Sequence, residues 1–136
     1  MREESHNEIL KEVTEEIEAA LKDKNGLLAY QRRLAFAISL GAVNLLEIHF
    51  HKQGVIKEGS KVNHRWFGKN KEKILEQLQK QITAPISSLE NINEILESVI
   101  RIEEKRNDLA YGAPSTEKIL QEKINLFFEL KRAVKC

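Results

Sequence analysis

The segment Leu27–His51, LLAYQRRLAFAISLGAVNLLEIHFH, decides the fold class of this chain. Its apolar side chains recur every three or four residues, the spacing that places them on one face of an α-helix. The residues in register are Tyr30, Leu34, Ile38, Gly41, Leu45 and Ile48. The segment therefore predicts the longest and most apolar helix of the protein.

Gly41 lies at the centre of that apolar face, between Ala37 and Ala42. A glycine in a helix interior costs roughly 1 kcal/mol relative to alanine. We interpret Gly41 as a point where a second helix crosses closely, which would offset this cost. The alternative is a glycine tolerated by a helix stable enough to carry it.

Helical spacing also predicts four further helices, with no alternating pattern typical of strands. They cover Glu4–Lys22, Trp66 to Ile82, a segment from Leu89 through Val99, and Ile119 to Val134. The helices are separated by four breaks, at Asn25-Gly26, the loop KQGVIKEGSKVN, Pro85 and the GAPS sequence. Ser87-x-x-Glu90 has the form of a capping box, and Ser115 can cap the last helix. We predict an all-α, up-and-down bundle of four long helices plus one accessory helix.

Length and composition favour one soluble domain spanning residues 1–136, with a lone cysteine and a formal net charge of +1. The charged sequence MREESHNEIL lacks the apolar core of a signal peptide, and the apolar patches look too interrupted to span a bilayer. A cytoplasmic protein without a membrane segment is expected. The near-zero charge argues against binding nucleic acid by bulk charge alone, although a local basic patch is compatible with it.

The stretch IRIEEKRNDLAYGAPS, Ile100–Ser115, places an arginine where the apolar face of the fourth helix should continue. At 100° per residue, Arg106 falls close to Val99 on that face. A buried cation needs a carboxylate or a ligand phosphate, and Glu103 is the nearest candidate. Alternatively, Arg106 stabilises the C-terminus of the helix while its methylenes lie along the core.

With its Arg-Asn pair and a polar ring at the end of the fourth helix, the chain resembles the higher-eukaryote and prokaryote nucleotide-binding superfamily, HEPN. Members of that family are four- or five-helix bundles, often dimeric. Their motif of arginine, then Asn, Asp or His, then a spacer and a histidine serves metal-independent RNA cleavage in active members. Arg106 and Asn107 match the first two positions, and the spacing puts Tyr111 at the position of the histidine.

A tyrosine with a pKa near ~10 is a poor base at neutral pH, whereas an imidazole exchanges protons readily there. Tyr111 could instead bind a phosphate or stack on a base, which would keep binding and lose cleavage. The sequence KVNHRWF offers a replacement imidazole in His64, beside Arg65 and two aromatic residues that could bind an anion and stack a base. The alternative makes Trp66 and Phe67 core anchors, with Asn63 as a cap and His64 and Arg65 in solvent.

The sequence EIHFH spaces Glu47 and His51 as two ligands on one helical face, but two ligands do not define a zinc site. A packed His49 and a solvated His51 are the expected arrangement. We therefore expect neither a metal nor another cofactor.

Three functions follow from these residues and from the resemblance. The first is a HEPN-like nucleotide- or RNA-binding protein with a degenerate site, a homodimer or toxin-antitoxin-type component that could pair with a nucleotidyltransferase. The second is an active metal-independent endoribonuclease using Arg106 and Asn107 with Tyr111 or His64. Glu103 and Arg65 are candidate binding residues of the same site. The third is a purely structural interaction bundle in which Arg106 only caps a helix.

Overall fold

The computed structural model describes residues 3–134, and this part of the chain is helical without β-strands. The α-helices are α1 (Glu3–Lys22), α2 (Gln31–Lys52), α3 (Lys71–Gln79), α4 (Ile92–Glu103), α5 (Arg106–Tyr111) and α6 (Glu117–Ala133). Short 3-10 turns cover Leu27–Tyr30, His64–Gly68 and Ile86–Ser88, and an isolated bridge joins Ile56 to Ile82. The predicted all-α class is confirmed.

Helix α2 lies at the centre of the packing, against α1, α4, α5 and α6. Most of its side chains are buried, and they share one apolar core with residues of the surrounding helices such as Ile17, Val99 and Phe127. We expected no segment apolar enough to span a membrane, but Leu27–Lys52 is long and apolar enough to do so. However, 78% of its most apolar window is buried in the protein. Such burial is typical of the core helix of a water-soluble protein.

Gly41 marks the close helix crossing inferred from the sequence. A Cβ atom on Gly41 would lie 2.5 Å from Cε1 of Phe127 and 3.1 Å from Cγ1 of Val13. Phe127 is fully buried, so its ring has little room to withdraw. The interpretation of Gly41 as a packing residue is therefore supported over that of a tolerated glycine.

Several predicted helix boundaries are wrong. Trp66 lies in a 3-10 turn, and α3 begins only at Lys71, where the Asn70 side chain accepts a hydrogen bond from the Lys73 amide. Ser87 also lies in a 3-10 turn rather than in a capping box, because α4 begins at Ile92 after a left-handed Asn91. The first of these turns buries Phe67 in a segment whose spacing alone suggests a continuous helix, and the second packs Ile86 partly against the core.

The N-cap of α6 is Thr116, whose side chain accepts a hydrogen bond from the Ile119 amide. The predicted cap, Ser115, instead donates its backbone amide to the side chain of Gln31. The positive φ of Gly26, +83°, agrees with the predicted stop after α1.

A left-handed residue, Lys105 with φ 59°, separates α4 from α5. Arg106 therefore opens a short helix instead of closing a long one, and its predicted positions on the continued face and at a helix C-terminus are both wrong. Lys123 of α6 occupies the expected C-terminal position, since its Nζ donates to the carbonyls of Arg101 and Glu104 at the end of α4.

A buried polar cluster, formed by His6, Asn44 and Glu47, joins α1 to α2. Nδ1 of His6 lies 2.6 Å from Oδ1 of Asn44, and its Nε2 lies 3.2 Å from Oε2 of Glu47, an ion-pair distance without hydrogen-bond alignment. The other Glu47 oxygen accepts a 2.6 Å hydrogen bond from the backbone amide of Val62. The cluster thus also fixes the end of the loop that follows α2.

The histidines at the end of α2 differ from each other in their surroundings. His49 is buried, as expected, and burial lowers its pKa. The expectation of a solvated His51 is wrong, because its half-buried ring packs 5.5 Å from that of His6. The described residues contain no cluster of three or more potential metal-ligating His, Cys, Asp or Glu side chains.

Candidate functional site

A cleft of about 660 Å³ lies where the 3-10 turn at His64–Gly68 meets the end of α4 and the whole of α5. It brings together all six candidate residues singled out in the sequence, which lie on segments up to 47 residues apart, from position 64 to position 111. Its lining consists of His64, Arg65, Gly68, Glu103, Lys105, Arg106, Asn107, Asp108 and Tyr111.

Arg106 is held from three sides. Its Nη1 donates to Oδ1 of Asn107 at 2.8 Å, and its Nε donates to Oγ of Ser39 at 3.2 Å. The guanidinium carbon lies 5.0 Å from the centre of the Phe36 ring, within the range of a cation–π contact. A guanidinium has five N–H donors, so these contacts orient the group and leave donors for a ligand in the cleft.

Glu103 is connected to Arg106 through Ser39, not by the direct pairing that the sequence suggested. The Ser39 hydroxyl donates to Oε1 of Glu103 at 2.6 Å and accepts the hydrogen bond from Arg106. The carboxyl side chain is only 4% exposed. Burial raises its pKa, although the Ser39 hydrogen bond and the charges of Arg106 and Lys123 oppose that shift. The Ser39 hydroxyl therefore links the Glu103 carboxyl and the Arg106 guanidinium in one hydrogen-bond network.

His64 faces the cleft from the 3-10 turn. Burial lowers its pKa, and the positive charges of Arg106 and Arg65 lower it further, so the imidazole is neutral at pH 7 and can accept a proton. Its Nδ1 lies 3.7 Å from Oε2 of Glu103, a loose contact rather than a strong ion pair.

The turn that carries His64 combines both interpretations of its sequence. Phe67 is buried and Trp66 packs against the core, and the Asn63 side chain accepts a hydrogen bond from the Arg65 amide as a cap. The same anchoring places His64 and Arg65 at the cleft.

An aromatic pair forms one edge of the cleft. The Tyr111 ring, which is 70% exposed, meets the partly exposed Phe36 ring edge-on, with 5.6 Å between the ring centres. Leu109 and Ala110, just before Tyr111, are buried and fix α5 on the protein. The backbone that carries the exposed Tyr111 ring is therefore fixed, and the ring offers a surface on which a nucleobase could stack.

Gln31 is the buried side chain that holds the end of α5 in place. Its Nε2 donates to the carbonyls of Leu109 and Ala113 at 3.0 and 3.2 Å, and its Oε1 accepts the Ser115 amide at 2.8 Å. Neither Gln31 nor Ser39 was found by sequence reasoning. Both are polar residues within the most apolar helix, which is a signal that could have identified them.

The chain has no match among protein-family models, and no curated protein or solved structure matches it significantly.

Proposed function

We propose that the cleft binds the phosphate of a nucleotide or of RNA. The carrying observation is the oriented guanidinium of Arg106 beside His64, with Arg65 and Lys105 also lining the cleft. The cations that line the cleft, Arg65, Lys105 and Arg106, outnumber its two carboxylates, Glu103 and Asp108. A local excess of positive charge therefore supports anion binding despite the formal net charge of +1.

In this proposal the protein is a cytoplasmic, HEPN-like homodimer of the toxin-antitoxin type. A nucleotidyltransferase is its candidate partner protein. The helices α1, α2, α4 and α6 form its up-and-down bundle, an arrangement supported by the contacts of α2 with each of the other three and of α4 with α6. The exposed side chain of Leu40, one turn after Phe36 on α2, supports a second copy packing along this part of α2 and leaves the Tyr111 ring to the ligand.

A second candidate function is metal-independent RNA cleavage. It is favoured by the presence of a neutral imidazole, that of His64, in the same cleft as Arg106. Arg106 would hold the scissile phosphate, Asn107 would orient Arg106 through their 2.8 Å hydrogen bond, and His64 would take the proton of the attacking ribose hydroxyl. Tyr111 is the weaker candidate base. The position of Arg106 at the start of α5, and not at a helix C-terminus, supports a ligand-binding role over the purely structural alternative.

The test measures binding of AMP and cleavage of a mixed single-stranded RNA pool in excess chelator. Parent protein, Arg106→Ala and His64→Gln are compared at matched folded concentrations, with Arg132→Ala as a control that removes an exposed arginine from α6. We expect Arg106→Ala to weaken AMP binding at least 10-fold and the control to leave it unchanged, given the strength of charge-assisted phosphate contacts.

Cleavage in chelator that disappears with both Arg106→Ala and His64→Gln would establish the nuclease. AMP binding that is equal in the parent and Arg106→Ala would contradict the proposed phosphate site.

A further inference from the structure

A second depression, of about 310 Å³, adjoins the Arg106 cleft. It is lined by Leu28, Ala29, Gln31, Arg32, Arg33, Gly112 and Pro114. Tyr111 lines the first cleft and the next residue, Gly112, lines the second, so the two depressions meet at the end of α5. A ligand extending from the Arg106 cleft past Tyr111 would therefore approach a depression that carries two arginines.

Arg32 and Arg33 precede Phe36 by about one helical turn on α2, and both are exposed. Phe36 is the ring on which Arg106 packs and which Tyr111 meets. The surface thus runs from one cation, across an aromatic pair, to two further cations. Arg33 is itself oriented by a cation–π contact with Tyr30, at 5.2 Å.

We propose that Arg32 and Arg33 form a second phosphate subsite, so that the ligand of the Arg106 cleft is a single-stranded oligonucleotide and not a mononucleotide. The inference rests on the proposed function of that cleft. One phosphate binds Arg106, a base stacks on Tyr111, and a phosphate further along the strand binds Arg32 and Arg33.

The two arginines lie close to the aromatic pair on α2. Arg32 and Phe36 lie about 6 Å apart along the helix axis, at about 1.5 Å per residue. When a base stacks on Tyr111, we expect a neighbouring phosphate of the same strand to come within reach of these long, exposed side chains.

The exposed ring of Tyr111 selects a single strand over a duplex. Bases within a duplex are already stacked on each other, whereas a single strand can place a base on an aromatic side chain. Duplex RNA would reach the arginines only through its backbone and would gain nothing from the ring.

The experiment compares AMP, a 2′-O-methyl hexaadenylate that resists cleavage through the ribose hydroxyl, and a blunt RNA duplex. Affinities are measured for the parent, for Arg32→Ala/Arg33→Ala, and for the Arg132→Ala control. Thermal unfolding of each variant verifies folding, and Arg32→Gln/Arg33→Gln, with longer polar side chains, provides a second variant.

We expect the double variants to bind the hexanucleotide about 10-fold more weakly and AMP as tightly as the parent. The slope of log affinity against log salt for the hexanucleotide should fall in magnitude by about 0.7, since the subsite holds one phosphate and each single-strand phosphate contact contributes about 0.7. The duplex should bind more weakly than the hexanucleotide.

Equal hexanucleotide affinity for the parent and both folded double variants would overturn the second subsite, and so would duplex binding as tight as that of the hexanucleotide. Neither of these results tests the phosphate site of the Arg106 cleft. That site is tested separately by AMP binding to Arg106→Ala, and an affinity equal to that of the parent would contradict it.

Discussion

Replacing Gln31 with leucine should both destabilise the protein and weaken binding at the cleft. Leucine is close to glutamine in size but cannot replace the three hydrogen bonds to Leu109, Ala113 and Ser115. At a net ~0.5 to ~1.5 kcal/mol for each hydrogen bond, their loss is about 1.5–4.5 kcal/mol. The apolar leucine regains part of this by burial, so we expect a loss of about 2–3 kcal/mol in the free energy of unfolding.

Urea unfolding followed by helical circular dichroism measures this loss. With a slope of about 2 kcal/mol per molar urea, the midpoint should fall by roughly 1 M. The matched control is Gln121→Leu on α6, whose amide donates to Asn125 one turn away at the surface, and its midpoint should move little.

Binding of the 2′-O-methyl hexaadenylate, measured well below the unfolding midpoint, should also weaken in Gln31→Leu. The loosened segment carries both Arg106 and Tyr111. A Gln31→Leu midpoint equal to that of Gln121→Leu would refute the assignment of Gln31 as the group that holds this segment.

Four further measurements test the packing and the electrostatics of the site. Gly41→Ala should lower the free energy of unfolding by about 1 kcal/mol, because overpacking against Phe127 exceeds the gain of ~1 kcal/mol in helix propensity, and Phe127→Leu should cost less in the Gly41→Ala background than in the parent, as measured by urea unfolding. Glu103 has a pKa raised above 4.5 in the native state, so the native state binds more protons than the unfolded state as pH rises from 4.5 to the native pKa. The free energy of unfolding therefore falls as pH rises through that range. Glu103→Gln should remove this fall in urea unfolding measured at several pH values. Protonation of His64 favours an anionic ligand, and because the pKa of His64 is lowered from 6.5, AMP affinity should rise as pH falls below 6.5; His64→Gln should flatten that profile relative to the parent. Tyr111→Phe should keep the hexaadenylate affinity while Tyr111→Ala lowers it about 10-fold, a factor within the ~1–3 kcal/mol expected for stacking of one base.

The long helices could be predicted because each buries one face, and burial of one face requires apolar residues every three or four positions. The break at Lys105 escaped prediction because no glycine or proline marks it, and a lysine takes the left-handed conformation. Tertiary packing favours this break, since it lets Leu109 and Ala110 bury against the protein. The helix propensities of the residues around Lys105 do not reflect this gain from burial.

The candidate residues of the site were identifiable because arginine, asparagine, histidine and tyrosine carry recognisable chemistry. Their supports, Ser39 and Gln31, were not, because their roles depend on partners 64 to 84 positions away in the sequence. Phe36 was also missed, since an aromatic residue in an apolar helix suggests core packing, not an exposed ring beneath Arg106.

The buried cluster of His6, Asn44 and Glu47 also restricts how α1 can slide along α2. A shift of α1 by one turn would place Leu10 where His6 lies and would leave the Glu47 carboxylate facing a hydrocarbon side chain, at a cost of several kcal/mol. An apolar seam alone would allow such a shift more easily. Because Glu47 also holds the amide of Val62, two residues before His64, the alignment of the first two helices and the placement of the cleft imidazole are set by the same carboxylate.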